Sequence, residues 1–359
     1  MKRIPSICLL GLLLLTIFIS GCLSQDSLKK TPSQNSDTSD DSKLKIAMVT
    51  DFNGVSDESF NQSAWDGFKK LKGEGYRTYL MESKSQSDYL ANFNELAQRG
   101  AQLIFGIGFD LEGAIIESAN NNPDKRFVLV DKLITEKIPK NVLAISFKSE
   151  EPSFLAGFMS ASKIIEEGDK GHIALMIGMD VPSMHPYVYG FQAGVHAASL
   201  AFGSPEIEVR VIYLDTFTNP SVAKTKASQE YEGGAKVIVS VAGGANSGAL
   251  EAAKEKDKSI ILTDMDNSDK APKNIITTIL KDVGKAVEYT VRSFSDEEFG
   301  KNKDLGIAEG CVGVPEKNPN VSSKTMSKVK EFEKKIISKQ IKIPSNKEGF
   351  EEFKKNYKP

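Results

Sequence analysis

At 359 residues the chain is long for one domain and comfortable for two, each able to bury its own core. Lysine plus arginine (46) almost balance aspartate plus glutamate (48), for a net charge of −2, so no strong field points to a nucleic-acid partner.

Residues 1–21 read as a secretion signal: Lys2 and Arg3, an apolar run over 7–18, then Ile19-Ser20-Gly21 before Cys22. The run is short for a membrane span. Small residues ahead of a cysteine resemble a bacterial lipobox, which implies that Cys22 carries lipid and ties the chain to a bilayer; a plain signal with a coincidental cysteine is the alternative. Cys8 would leave with the signal, so Cys311 remains as the one free thiol and no intramolecular disulfide is expected. Residues 22–42 are polar with almost nothing apolar, as suits a lipidated, disordered tether.

From Lys43 short apolar runs alternate with amphipathic stretches, the pattern of a mostly parallel sheet with helices on both faces. Strands are expected near 44–50, 76–81, 102–107, 127–131 and 142–147. The polar stretch after the first, 51–59, reads as a tight loop, and Asp57 or Ser59 can cap the helix that follows, whose Ala64, Trp65, Phe68 and Leu71 recur at helical spacing. Phe60 and Asn61 fall on its first turn, beside free backbone N–H groups, where an aromatic face and an amide can meet a small polar ligand. Phe60 as an ordinary hydrophobic staple is the competing reading.

A long helix over 151–167 follows, and then the alternation restarts, with strands near 172–177, 208–214, 236–242 and 259–264. Two successive series argue for an α/β protein of two lobes. A later strand over 275–280, a helix over 283–294 and the segment 307–314 are assigned to the first lobe as the simplest closure. The expected division is therefore 43–148 plus about 265–310 in an N-terminal lobe, and 149–264 plus about 311–359 in a C-terminal lobe. From Glu316 onward the chain holds about a dozen lysines, roughly twice its acids, yet Met326, Val329, Phe332, Ile336 and Ile337 mark one apolar helix face.

Catalytic patterns fail in turn. Gly106-Ile-Gly108 follows a strand, but the next glycine is Gly113, which breaks the dinucleotide fingerprint; no Walker loop, zinc spacing or Gly-x-Ser-x-Gly elbow occurs. Asp264-Met-Asp266-Asn-Ser-Asp269 begins like a calcium loop, yet Asp269 stands where the turn needs glycine. No enzyme, metal or cofactor is expected.

What remains is a set of polar and aromatic residues at the C-terminal ends of strands, where open α/β sheets bind ligands. Asp51, Asp131, Asp264 and Asp266 close strands, Gly243-Gly244 follows another, and Phe217 stands in a short loop after a third. Carboxylates accept from hydroxyl-rich ligands, and two aromatic faces suit a flat ring, so a sugar joined to a heteroaromatic base satisfies both. For any single aspartate here a helix cap explains as much.

The stretches Asp57-Glu-Ser-Phe-Asn-Gln-Ser-Ala-Trp65, Leu103-Ile-Phe-Gly-Ile-Gly-Phe109, Ser153-Phe-Leu-Ala-Gly157, Gly178-Met-Asp-Val-Pro182, Tyr189-Gly-Phe-Gln-Ala-Gly-Val195 and Ala242-Gly-Gly244 together resemble the basic membrane protein family of bacterial lipoproteins, which includes a purine nucleoside receptor. The resemblance spans about residues 43–339. It implies a two-lobed type I periplasmic-binding-protein fold, binding of a purine nucleoside between the lobes, an ABC permease as partner, and a lipid-anchored place in the bacterial cell envelope. It further implies that Phe60 and Phe217 sandwich the base, that Asn61 and Asp131 bond it or its neighbourhood, and that Asp51, Gly243, Asp266 and Lys281 surround the ribose. Asn53 stands where the family usually has glycine, and Asn267 where many members have glutamine. Two other functions stay open: a surface adhesin that meets host matrix or polyanions through its lysine-rich tail, and the same fold holding a sugar or other small metabolite.

Overall fold

The computed structural model describes residues 43–359, so the signal, Cys22 and the tether lie outside the described residues. Lys45–Thr50 (β1), Arg77–Met81 (β2), Leu103–Ile107 (β3), Arg126–Val130 (β4) and Val142–Phe147 (β5) form a parallel sheet in the order β2-β1-β3-β4-β5. The strands are apolar because helices cover both faces. Phe60–Gly73 (α1) packs one face with Ala64, Phe68 and Leu71. Tyr89–Gln98 (α2) and Glu112–Asn121 (α3) cover the other with Phe93, Leu96 and Ile115.

The chain then leaves through Glu150–Glu166 (α4) for a second sheet. That sheet comprises His172–Ile177 (β6), Val209–Tyr213 (β7), Ala235–Val241 (β8) and Ser259–Asp264 (β9). Its helices are His185–Phe202 (α5), Pro220–Glu232 (α6) and Asn246–Lys256 (α7). Helix α4 is buried almost throughout because α5 lies directly on it. A β-carbon on Gly157 would sit 2.2 Å from the Phe191 carbonyl oxygen, so glycine is what permits this approach.

The expected division of the lobes is corrected at one point. Ile275–Lys281 (β10) does not return to the first sheet; it pairs in parallel with β9, extending the second to β7-β6-β8-β9-β10. An apolar strand satisfies either sheet by itself, and the short connection after β9 puts the neighbouring edge within reach. Val283–Arg292 (α8) does go to the first lobe, where Gly284 meets Gly67 of α1 and its N–H donates to Ser63 Oγ at 3.3 Å.

Lys301–Leu305 (β11), missed by the sequence reading, adds to β5 as the outer strand of the first sheet. Its sequence, Lys-Asn-Lys-Asp-Leu, carries no apolar alternation, as an edge strand with solvated side chains allows. Of the segment 307–314 only Val312–Gly313 (β12) pairs, antiparallel to β10. The chain therefore crosses between the lobes three times, after β5, β10 and β11.

Ser323–Ile337 (α9) and Lys347–Asn356 (α10) close the second lobe. Phe332 meets Phe154 and Phe158 edge-on with ring centroids 5.0 Å apart, and Phe353 meets Phe154 at 6.1 Å. Val329 and Ile336 are buried, but Ile337 is exposed, one position past the apolar stripe it was expected to join.

Candidate functional site

The sheets share the strand order 2-1-3-4-5 in their own numbering, and such sheets present a crevice at the carboxyl ends where connections diverge. In the first lobe that point holds the loop between β1 and α1. Asp51 Oδ1 accepts from the backbone N–H of Asn53 and from Asn61 Nδ2, each at 2.9 Å, while its Oδ2 accepts from Asn53 Nδ2 at 3.1 Å. Asp57 is the cap of α1: its carboxylate accepts from the N–H groups of Ser59, Asn61 and Gln62 at 2.9–3.0 Å and from Asn61 Nδ2 at 3.2 Å. Ser59, the other expected cap, makes no cap bond; its hydroxyl donates to Asp264 of the second lobe.

Asn61 thus spends its amide nitrogen on two carboxylates. Its Oδ1 is buried and has no hydrogen-bond partner among the described residues.

The floor is built from three strand ends. Asp131 follows β4 and Asp264 closes β9, with φ of 76° and 74° respectively. That left-handed conformation costs a non-glycine residue about 1–2 kcal/mol and is least unfavourable for Asp and Asn. It turns the chain sharply out of each sheet. Lys281, the last residue of β10, reaches across to the first lobe, where its Nζ donates to both oxygens of Asp131 at 2.8 and 3.0 Å. Lys281 is only 3% exposed, and its ammonium lies 5.3–5.4 Å from the ring centroids of Phe60, Phe147 and Tyr187.

Burial is the largest influence on Lys281 and pulls its pKa down, but Asp131, Tyr187 and Asp264 together outweigh it and hold the amine protonated. Burial pushes Asp264 up to about 6 against the opposing pull of Lys281 and Ser59, and Asp51 up to about 6 against its bonds from Asn53 and Asn61. An exposed Glu58–Lys270 ion pair also bridges the lobes, a contact of the kind that adds little stability.

The opposite wall comes from the second lobe. Phe217 lies in the loop after β7, held by the Ala245 N–H, which donates to its carbonyl at 3.0 Å. Its ring lies over Gly178, just past β6: a β-carbon there would stand 2.2 Å from Phe217 Cε1. Gly243, at φ 53°, passes close beneath the same residue.

Asp51, Phe60, Asn61, Asp131, Phe217, Gly243 and Lys281 all line one cavity, which together with its opening to solvent holds about 560 Å³ of space free of atoms. Asp266 does not join them. The turn after Asp264 carries it to the surface, where its carboxylate accepts from the Ser268 N–H at 3.0 Å, and Asp264 takes the place on the lining. Tyr187, Met184, Thr263 and Phe109 also line the cavity. Nothing local in the sequence marks Tyr187, a core-facing aromatic of α5 like its neighbours. Among the described residues no group of three or more His, Cys, Asp or Glu is placed to hold a metal ion.

Residues 43–347 match a family described as ABC transporter substrate-binding protein PnrA-like. The chain is 32% identical to an ABC transporter nucleoside-binding protein, BmpA, of Lactococcus lactis subsp. cremoris, over 96% of this chain and 99% of that protein. It is also 32% identical to basic membrane protein B of Borreliella afzelii, over 94% and 97%. A solved ABC transporter solute-binding protein from Aeropyrum pernix K1 shares the fold, with a TM-score of 0.76 at 23% identity across 86% of this chain and 96% of that one.

Proposed function

The chain belongs to the PnrA-like family of ABC transporter substrate-binding proteins, not of enzymes, and from that membership we propose that it captures a purine nucleoside in the cleft between its lobes and delivers it to a membrane permease. The observation that carries the reading is one cavity with an aromatic ring on each wall, Phe60 from the first lobe and Phe217 from the second, above a floor of Asp131, Lys281 and Asp264. A flat base fits between two rings, each stack adding roughly 1–3 kcal/mol. The floor offers what a sugar diol needs, carboxylates that accept from hydroxyls and an ammonium that donates to them.

Asp266, outside the cavity, has no part in this assignment, and Asp264 takes its role. Asp51 moves from the sugar to the base, because its partners are Asn53 and Asn61, not the Lys281 group. Binding joins groups from both lobes, so ligand favours the closed arrangement, with the three crossovers as the hinge. Among the described residues no helix is long and apolar enough to cross a membrane. Attachment to the envelope is assigned to lipid on Cys22.

Thermal unfolding with and without purine nucleosides tests the binding. Free nucleoside at ~100 times its dissociation constant adds about 2.7 kcal/mol of stability. No shift with any nucleoside, in protein shown by mass spectrometry to carry no ligand, would refute the reading.

A further inference from the structure

The polar groups of the cavity fall into two sets. Asp131, Lys281, Asp264 and Tyr187 act on one another at the floor, and there a cation stands among acceptors. The other set lies beside Phe60 on the first lobe and consists of Asp51, Asn53 and Asn61, with the Asp57 carboxylate bonded to Asn61 and Asp110 acting on Asp51.

In this second set the side-chain nitrogens are already committed. Asn61 Nδ2 donates to Asp51 and Asp57, and Asn53 Nδ2 donates to Asp51. What its side chains hold in reserve is oxygen. Asn61 Oδ1 is buried and unpartnered among the described residues, and Asp51 Oδ2 receives one bond where a carboxylate oxygen can take two. Turning the amide over would place its oxygen against two carboxylates. A buried acceptor without a donor is unfavourable, and a ligand that supplies the donor recovers that loss. A base stacked on Phe60 presents its edge to the groups flanking the ring, and the edge is where bases carry donors and acceptors.

Resting on the nucleoside reading, we propose that Asn61 and Asp51 select the base by its donors, favouring purines that carry a ring N–H beside an amino group, as guanine does at N1 and its 2-amino group. Hypoxanthine offers the ring N–H alone. Adenine offers one amino group beside an acceptor nitrogen, which meets acceptors on the wall. Unsubstituted purine offers neither donor on its six-membered ring.

Isothermal titration of the full chain with guanosine, inosine and purine riboside tests this without any substitution. Guanosine is expected tightest, inosine roughly 10-fold weaker, and purine riboside at least ~100-fold weaker, since a site built around buried hydrogen-bonding groups rejects analogues that leave them unpaired. Guanosine and purine riboside binding within threefold of each other would overturn the donor selection and leave the nucleoside reading standing; binding of none of them would overturn both. Asp51→Asn, which turns an acceptor into a group that also donates, is expected to shrink the guanosine-to-purine-riboside ratio by at least ~10-fold. Its thermal unfolding without ligand, compared with that of the unmodified chain, reports that it folds. An unchanged ratio would remove Asp51 from the selecting wall.

Discussion

Gly178→Ala separates binding from folding at this site. The added methyl would lie 2.2 and 2.3 Å from two ring carbons of Phe217, so the ring must retreat by about 1.3 Å to reach an ordinary carbon contact of ~3.5 Å. The backbone of Phe217 cannot follow, since its carbonyl is held at 3.0 Å by the Ala245 N–H and Gly243 passes beneath it. The ring therefore rotates about its own χ1 or leaves its rotamer. Phe217 is only half-buried, so the strain stays near the ~0.5–1.5 kcal/mol of an off-rotamer side chain. The stack is the larger loss: removing one face of the sandwich forfeits roughly 1–3 kcal/mol, or about 5- to 150-fold in dissociation constant. Titration calorimetry with a purine nucleoside reads the affinity, and thermal unfolding without ligand reads the stability. Affinity within threefold of the unmodified chain would show that Phe217 is no part of the binding wall, whatever the melting curve did.

Lys281→Met leaves the Asp131 carboxylate without its buried cation and is expected to cost about 3–5 kcal/mol, while Lys281→Met combined with Asp131→Leu regains most of it; equal losses in single and double variants would count against a coupled pair. Asp57→Ala removes the acceptor for two N–H groups of α1 and for that of Ser59 just before it, with an expected loss of about 1–2 kcal/mol in thermal or urea unfolding, and a loss under ~0.5 would mean the loop recaps itself. Asp51 and Asp264 have carboxyls raised to about 6, and Glu150, half-buried at the start of α4, is raised to about 7. Raised carboxyls bind their protons more tightly in the folded state, so the stability they lend is complete below their unfolded values and is lost as pH climbs through 6 to 7. The ligand-free chain should accordingly gain stability from pH 7.5 to 5.5, with a smaller gain in Asp264→Asn; an identical slope in that variant would refute the assignment. Cys22→Ser is expected to move the chain from the membrane fraction to the soluble fraction of the producing cell, and unchanged partitioning would reject lipid attachment there.

The sequence made some of this site legible and hid the rest for identifiable reasons. Phe60 and Asn61 could be read because a capped helix start has a local signature, although that signature admitted both Asp57 and Ser59. Only the second lobe separates them: Asp264 draws the Ser59 hydroxyl away and leaves Asp57 to satisfy the helix. Asp264 and Asp266 are equivalent in a linear pattern of alternating acids. The left-handed turn at Asp264 decides that one lines the cavity and its neighbour but one faces solvent. Tyr187 carries no marker and Gly178 only its place in a stretch that resembles the family, since a core tyrosine and a post-strand glycine are common, and their bearing on the site depends on what packs against them.

By itself the sequence determined the α/β character, because apolar runs of strand length between amphipathic helices bury only as covered parallel sheets, and it determined that the chain makes two such series. Tertiary structure decided what local pattern leaves degenerate. An apolar strand such as β10 pairs with whichever edge is near, and a charged strand such as β11 forms only because β5 offers unpaired backbone groups. The Lys281–Asp131 contact likewise exists only once two distant strand ends face each other across the cleft, where both charges are withdrawn from water and each becomes the other's partner.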